Sequence, residues 1–333
     1  MPSTPQTVLV TGAAGFIGSH TCGALLSLDP DAIGRIVGID NFDPFYDESI
    51  KRSNLDEITR SDRDNRFAFE RVDIRDRAAL DDVFGRSAPT TVIHFAALAG
   101  VRPSIENPAG YARTNVEGTA NILESARQFN ASRLIVASSS SVYGNASRVP
   151  FSEEDDISKP ISPYAATKCA TESLCFAHHC LHGVPVACLR FFTVFGPRQR
   201  PDLAIAKFMR LIAAGEAIPM FGNGQTSRDY TYIDDIVSGV LASMERIDAH
   251  GFRVWNLGGN SPVTLDEMIA RVAETVGKPA IIDHQPSQMG DVEQTYADLS
   301  RSGAELGYGP KTSFEEGLRR QWAWRSKRIT ATN

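Results

Sequence analysis

The stretch Gly12-Ala13-Ala14-Gly15-Phe16-Ile17-Gly18 restricts this chain more than any other. It follows the apolar run Thr7–Val10 and opens a segment of helical character from about Phe16 to Leu28. Glycines between a buried strand and a helix make a tight turn, let backbone amides approach a bound group and let the helix pack close to the strand. The helix N-terminus then offers unpaired N–H groups to a phosphate. Taken alone the cluster is a weak signal, since glycine also serves ordinary turns and GxxGxxG departs from the more frequent GxGxxG. Its context sharpens it. Arg35–Asp40 reads as a second strand, and Asp40 closes it 22 residues after Gly18. An acid there binds adenosine ribose hydroxyls and repels a 2′-phosphate, which selects NAD over NADP. Gly12, Gly15, Gly18 and Asp40 are therefore expected to bind NAD. Asp73 and Ile74, after a third strand, are placed to flank the adenine, with a helix N-cap as the other reading of Asp73.

The strand–helix rhythm continues. Phe67–Glu70, Thr91–Phe95, Arg133–Ala137 and Val186–Phe191 are short, mostly apolar runs. Helices are expected over Arg77–Phe84, from near Pro108 to Gln128, and through Tyr164–Lys168. Strands apolar at successive positions are buried on both faces, which means a parallel sheet covered by helices. The expected fold is α/β: a Rossmann-type doubly wound parallel sheet with a smaller C-terminal α/β substrate-binding lobe. Residues 1–191 form the dinucleotide-binding domain and 192–333 the lobe, with some of its segments returning to the main sheet. In the lobe a helix is expected after Asp234-Asp235 and a strand at Val254–Leu257. Thr264 is expected to cap a further helix, with Glu267 at its third position.

Bulk properties exclude several classes. The chain has 333 residues, 42% of them hydrophobic, enough to bury a full core. A net charge of −6 leaves no overall basic footprint for nucleic acid or an anionic membrane. Five cysteines with no CxxC pair fit reduced thiols in the cytoplasm. No basic segment precedes an apolar leader, and no window approaches the ~18 apolar residues of a membrane span. His178 and His182 are four apart, but no acidic partner organises a site, so no metal is expected.

Tyr164 and Lys168 carry the chemistry. Residues i and i+4 share a helix face. A lysine ammonium there lowers the pKa of the phenol. A tyrosine so poised takes the proton of a hydroxyl as hydride leaves the same carbon. Ser138–Ser141 end the fifth strand, where side chains meet ligands in a parallel sheet. Ser139 is the candidate to hydrogen-bond the substrate oxygen, although four consecutive serines leave the choice among them open. Arg200 suits a carboxylate, because a guanidinium forks onto it in one plane. A phosphate or a surface ion pair is the other reading of Arg198 and Arg200.

Together these residues resemble the extended short-chain dehydrogenase/reductase superfamily, and within it the NAD-dependent nucleotide-sugar 4-epimerases. The resemblance spans essentially the whole chain, through Thr11–His20, His94–Ala97, Ser138–Gly144, Tyr164–Lys168, Arg228-Asp229-Tyr230 and Gly290-Asp291. Gly38–Phe42, Ala99–Arg102, Arg190–Asp202 and Ala204–Phe208 look most like UDP-glucuronate 4-epimerases. UDP-glucose 4-epimerases usually carry Asn where this chain has Thr193. The resemblance implies Tyr164 as base, Lys168 as its partner and Ser139 as the hydroxyl. It adds Phe16, Ile17, Asn41, Ala96, Ala97, Tyr164 and Lys168 to the NAD-binding set. On the substrate it implies Ser140, Ser141, Thr193 and Arg200, with Arg228 at the diphosphate and Arg102, Lys207 and Asp291 alongside. Gln288 stands where some hexose epimerases use a second arginine. The implied reaction converts UDP-glucuronate to UDP-galacturonate through a 4-keto sugar, in a homodimer. UDP-glucose epimerisation is the near alternative. Decarboxylases and 4,6-dehydratases carry an acid where this chain has Ser140 and Ser141, and a non-catalytic dinucleotide sensor has no need of Tyr164, Lys168 and Ser139 together.

Overall fold

The computed structural model describes residues 5–145, 148–286 and 292–331. In chain order its strands are β1 (Gln6–Thr11), β2 (Ile33–Asp40), β3 (Phe67–Arg71), β4 (Thr91–His94), β5 (Arg133–Ser139), β6 (Val186–Phe191), β7 (Thr193–Phe195), β8 (Ala217–Phe221), β9 (Ser227–Tyr232), β10 (Phe252–Leu257), β11 (Pro262–Thr264) and β12 (Ile281–Gln285). Its helices are α1 (Phe16–Leu26), α2 (Glu48–Ser61), α3 (Arg77–Ser87), α4 (Val101–Glu106), α5 (Pro108–Tyr111), α6 (Gly118–Gln128), α7 (Pro163–His182), α8 (Ala204–Ala214), α9 (Ile233–Arg246), α10 (Leu265–Val276), α11 (Ser300–Leu306) and α12 (Phe314–Ala331). Among the described residues no helix is long and apolar enough to cross a membrane.

The chain divides into two units. The first comprises Met1–Gly144, Asp156–Arg190 and Val237–Trp255. Its sheet runs β10-β6-β5-β4-β1-β2-β3, and the pairings β1–β2, β2–β3, β1–β4 and β4–β5 are parallel. Val8, Leu9, Val10, Ile36, Val37, Ile39, Val92 and Ile93 are almost wholly inaccessible, as strands sandwiched between helix layers must be. The chain moves outward from β1 to β3, then crosses back to β4 on the other side of β1. That reversal makes the carboxyl ends of β1 and β4 the place where such sheets bind ligands.

The second unit comprises Asn145–Asp155, Phe191–Ile236 and Asn256–Asn333. It holds a three-stranded sheet, β11-β9-β7, and a two-stranded one, β12-β8. Amphipathic α10 packs on α8 and α12 and buries Met268, Ile269 and Val272. Thr264 accepts from the Glu267 amide while Glu267 reaches back to the Thr264 amide, the reciprocal cap that the sequence predicts. The helix expected after Asp235 begins earlier, at Ile233.

Candidate active site

Gly12 turns the chain out of β1 with φ +68°, and a Cβ there would lie 2.9 Å from the amide nitrogen of Ala96. Gly18 lies against the same turn: its Cβ would sit 2.1 Å from the Gly12 carbonyl oxygen. The loops after β1 and β4 therefore touch backbone to backbone. The Gly15 amide donates to the Gly12 carbonyl, and α1 starts at Phe16 with no side-chain cap and no acid in its first turn. Its N-terminal dipole is left for an anion. Ile17 is half-buried in that first turn.

At the end of β2, Asp40 is 9% exposed and accepts from the amides of Phe42 (2.9 Å) and Ala14 (3.3 Å). Burial raises its pKa above the usual carboxylate value against those hydrogen bonds and the Lys51 charge. Asn41 donates Nδ2 to Asp73 Oδ2 at 3.0 Å. Arg75, which sequence reasoning missed, grips Asp73 through Nε (2.9 Å) and Nη2 (2.6 Å) and holds its carboxyl well below the ordinary range. The helix cap belongs not to Asp73 but to Asp76, which accepts from the Ala79 amide. Ile74 is buried at the start of α6, where a Cβ on Gly118 would meet its Cδ1 at 2.5 Å.

A hydrogen-bond chain fixes the loop that carries Ala96 and Ala97. Thr11 Oγ1 accepts from the amides of Phe95 (3.1 Å) and Ala96 (3.0 Å), so its proton goes to His94 Nδ1 at 2.7 Å. His94 then carries its hydrogen on Nε2 and donates to Thr119 Oγ1 at 3.1 Å, which donates to the Asn115 carbonyl. Burial, reinforced by the Lys168 charge, pushes the His94 pKa down to about 3. The unfolded chain binds this proton near the ordinary pKa of about 6.5, while the fold refuses it until about 3. Stability therefore falls as pH drops through that window, by up to about 1.4 kcal/mol per pH unit. His178, pushed down to about 4 by burial and His182, adds a second such slope. Denaturant unfolding between about pH 6.5 and 4 should show His94→Gln with a shallower pH slope than wild type, by up to about 1.4 kcal/mol per pH unit.

The reacting groups lie on α7. Ser162 caps it by accepting from the Ala165 amide, and Pro163 occupies its first turn. Lys168 is 5% exposed, donates Nζ to the Ala137 carbonyl at 2.8 Å, and has its pKa pushed down to about 8 by burial. The Tyr164 ring stands edge-on to Tyr111, centroids 6.2 Å apart. The single helix expected over Pro108–Gln128 is interrupted by a π-helical stretch, Ala112–Glu117. There Asn115 accepts from the Leu98 amide (2.8 Å) and donates to the Leu98 carbonyl (2.9 Å) and to Thr167 Oγ1 (3.0 Å). Thr167 in turn donates to the Tyr164 carbonyl at 2.7 Å. Asparagine inside a helical run, a poor helix former, was the available sign.

The serines separate by strand alternation. Ser138 donates to Glu172 on α7. Ser139 caps the one-turn 3₁₀ segment Ser140–Tyr143 by accepting from the Ser141 amide at 3.2 Å. Ser138 is thus engaged elsewhere, leaving Ser139, Ser140 and Ser141 as candidates. Arg102 is exposed on α4.

The second unit carries the other candidates. Thr193 opens β7, opposite Tyr230 of β9. Arg200 is forked onto Asp202, Nε to Oδ1 at 3.0 Å and Nη2 to Oδ2 at 2.7 Å. Gln199 braces that turn, donating to the Val194 carbonyl and accepting from the Ala206 amide. Lys207 is half-buried on α8. Arg228 lies over the carbonyls of Ser227 and Glu293. Next to it, the wholly buried Asp229 accepts from the amides of Gly259 and Ala297. Asp291, like Gln288, falls outside the described residues.

Residues 9–321 match the family model described as GDP-mannose 4,6 dehydratase. A UDP-glucuronate 4-epimerase of Thermodesulfobacterium geofontis is 39% identical over 322 residues, spanning 96% of each chain. The crystal structure of UDP-glucuronic acid 4-epimerase from Bacillus cereus, in complex with UDP-glucuronic acid and NAD, superposes with a TM-score of 0.88 at 35% identity, covering 96% of this chain and 99% of that one. UDP-glucose 4-epimerase of Thermotoga maritima with UDP-glucose reaches 0.86 at 30% identity, covering 97% and 99%.

Proposed function

We propose that this chain, which belongs to the GDP-mannose 4,6-dehydratase family, is an NAD-dependent C4 epimerase that converts UDP-glucuronate to UDP-galacturonate without decarboxylation. The observation that carries the chemistry is a buried lysine on the Ala137 carbonyl, one helical turn from Tyr164, beside a serine turn that holds no acid. Similarity to UDP-glucuronate 4-epimerases over nearly the whole chain supports the sugar.

The residues fit a dinucleotide. Gly12 and Gly18 keep side chains out of the turn, α1 presents an uncapped N-terminus, and both Asp40 oxygens retain acceptor capacity for ribose hydroxyls. Bound NAD supplies a hydride acceptor and donor for C4 of the sugar. Tyr164 removes the 4-hydroxyl proton, Ser139 hydrogen-bonds the same oxygen, and the Lys168 ammonium steadies the phenolate. The 4-keto sugar turns over about its diphosphate link, and Tyr164 returns the proton once the other face is presented. Arg228 is the group for the diphosphate. The keto sugar is a β-keto acid, prone to lose CO₂ when its carboxylate bond stands perpendicular to the ketone plane. Arg200, with Thr193, Ser140 and Ser141, is proposed to hold the carboxylate out of that alignment. The dehydration for which the family is named needs an acid and base beside the hydroxyl, and Ser140 and Ser141 supply neither.

We also propose a homodimer in the cytoplasm. Five free thiols support a reducing compartment, and Phe176 and Leu181 on α7, 53% and 76% exposed, support a second copy packing on that helix. The functional test is the product. Purified protein given UDP-glucuronate should form UDP-galacturonate with no CO₂ released, whereas conversion of UDP-glucose alone would overturn the substrate assignment.

A further inference from the structure

Behind the reacting residues lies a buried polar network whose members are far apart in sequence. Glu172 is on α7, one turn beyond Lys168 and two beyond Tyr164. Both its oxygens take Arg190 of β6, Oε1 from Nε at 2.9 Å and Oε2 from Nη2 at 2.8 Å. Arg190 Nη1 donates to the Tyr143 hydroxyl at 2.9 Å. Ser138 Oγ donates to Glu172 Oε1 at 2.5 Å. The Arg190 and Glu172 side chains are only 4% and 7% exposed.

Three of its four members adjoin a group with a proposed role. Ser138 lies between Ala137, whose carbonyl receives Lys168, and Ser139. Tyr143 closes the turn that Ser139 caps. Glu172 shares its helix with Tyr164 and Lys168. The Arg190 guanidinium thus ties β6 to α7 and the serine turn, and Glu172 adds the end of β5 through Ser138. The guanidinium donors are fixed in one plane, so the bonds set orientation as well as distance.

We propose that the Glu172–Arg190 pair is a positioning device: it locks the serine turn to α7 and so aligns Ser139 with Tyr164 and Lys168. A buried ion pair is a weak source of net stability, because desolvation consumes most of the attraction. Fixed geometry is what this one supplies. The proposal rests on the roles given above to Ser139, Tyr164 and Lys168.

Two variants test it. Tyr143→Phe deletes one hydroxyl and keeps the ring that stacks against Arg190, 4.8 Å from centroid to guanidinium carbon. Glu172→Gln keeps shape and removes charge. Misplacement by about 1 Å costs about 10²-fold in rate. Glu172→Gln should therefore lower kcat on UDP-glucuronate about 10²-fold, and Tyr143→Phe about tenfold, with KM and bound NAD within about twofold of wild type. If Glu172→Gln does not fold, Tyr143→Phe decides alone. A readout without substrate separates this proposal from the functional one. The near-ultraviolet phenolate band of Tyr164, taken as the difference from the matching Tyr164→Phe protein, should titrate at higher pH in both variants, because the ammonium no longer sits correctly. An unmoved band in folded variants overturns the proposal, even if wild type proves inactive on UDP-glucuronate. A moved band upholds it whatever the sugar. An unchanged kcat with active wild type also overturns it.

Discussion

Tyr164→Phe is expected to lower turnover of UDP-glucuronate by about 10²–10⁴-fold, the usual contribution of a positioned acid–base group. The variant loses one oxygen and keeps the ring. Its edge contact with Tyr111, the Ser162 cap and the Lys168–Ala137 bond do not depend on that oxygen. Folding should therefore be unchanged, NAD should stay bound through the rest of its site, and the loss should fall on kcat with KM nearly constant. That pattern marks a group acting in the transition state rather than in binding. Thermal unfolding, NAD released on denaturation and steady-state kinetics measured together check it. A variant that keeps more than about a tenth of wild-type kcat would assign the proton transfer to another residue.

Arg200→Ala is expected to lower kcat/KM for UDP-glucuronate by about 10²-fold. Two charge-assisted hydrogen bonds to a carboxylate are involved, and about 3 kcal/mol is a conservative loss for them. Asp202 already takes the Nε and Nη2 edge of the guanidinium, the ion pair that the sequence offers as the other reading, and this fixes the plane in which a uronate carboxylate would be met. The turn itself hangs on Gln199, so removing Arg200 should spare the fold. Any activity on UDP-glucose, which has no carboxylate, should be untouched. Equal loss on both sugars would show that Arg200 serves the diphosphate or the loop instead.

What could be read from the sequence followed from local physics. Strands buried on both faces appear as unbroken apolar runs, so β1, β2, β4, β5 and β6 were visible within a few residues. The Thr264–Glu267 cap is a four-residue pattern and was equally plain. Helix α2 went unread because its buried positions are Lys51, Asn54 and Ile58. Lys51 and Asn54 are buried for their bonds to the carbonyls of Asp43 and Ala14, and such partners leave no apolar periodicity. The π-helical stretch escaped for a similar reason, since Asn115 answers to Leu98 and Thr167 rather than to its own helix.

At the site, motif positions were legible and their wiring was not. The identity of the strand-end serine facing Glu172 is a matter of strand phase, which four identical residues conceal. Arg190 and Glu172 are separated by 18 residues, and Arg190 and Tyr143 by 47, so only the folded sheet brings them together. His94 stood in a recognised motif, yet its neutral state follows from burial near Lys168 and its tautomer from Thr11 and Thr119 on either side.

The most direct test follows one hydrogen. UDP-glucuronate carrying deuterium at C4, incubated with the purified protein in ordinary water, should yield UDP-galacturonate that retains deuterium at C4, because the same hydrogen leaves and returns. A product that has exchanged it for solvent hydrogen would contradict hydride return to a transient 4-keto sugar, and one that has lost its carboxylate as CO₂ would contradict epimerisation as the outcome.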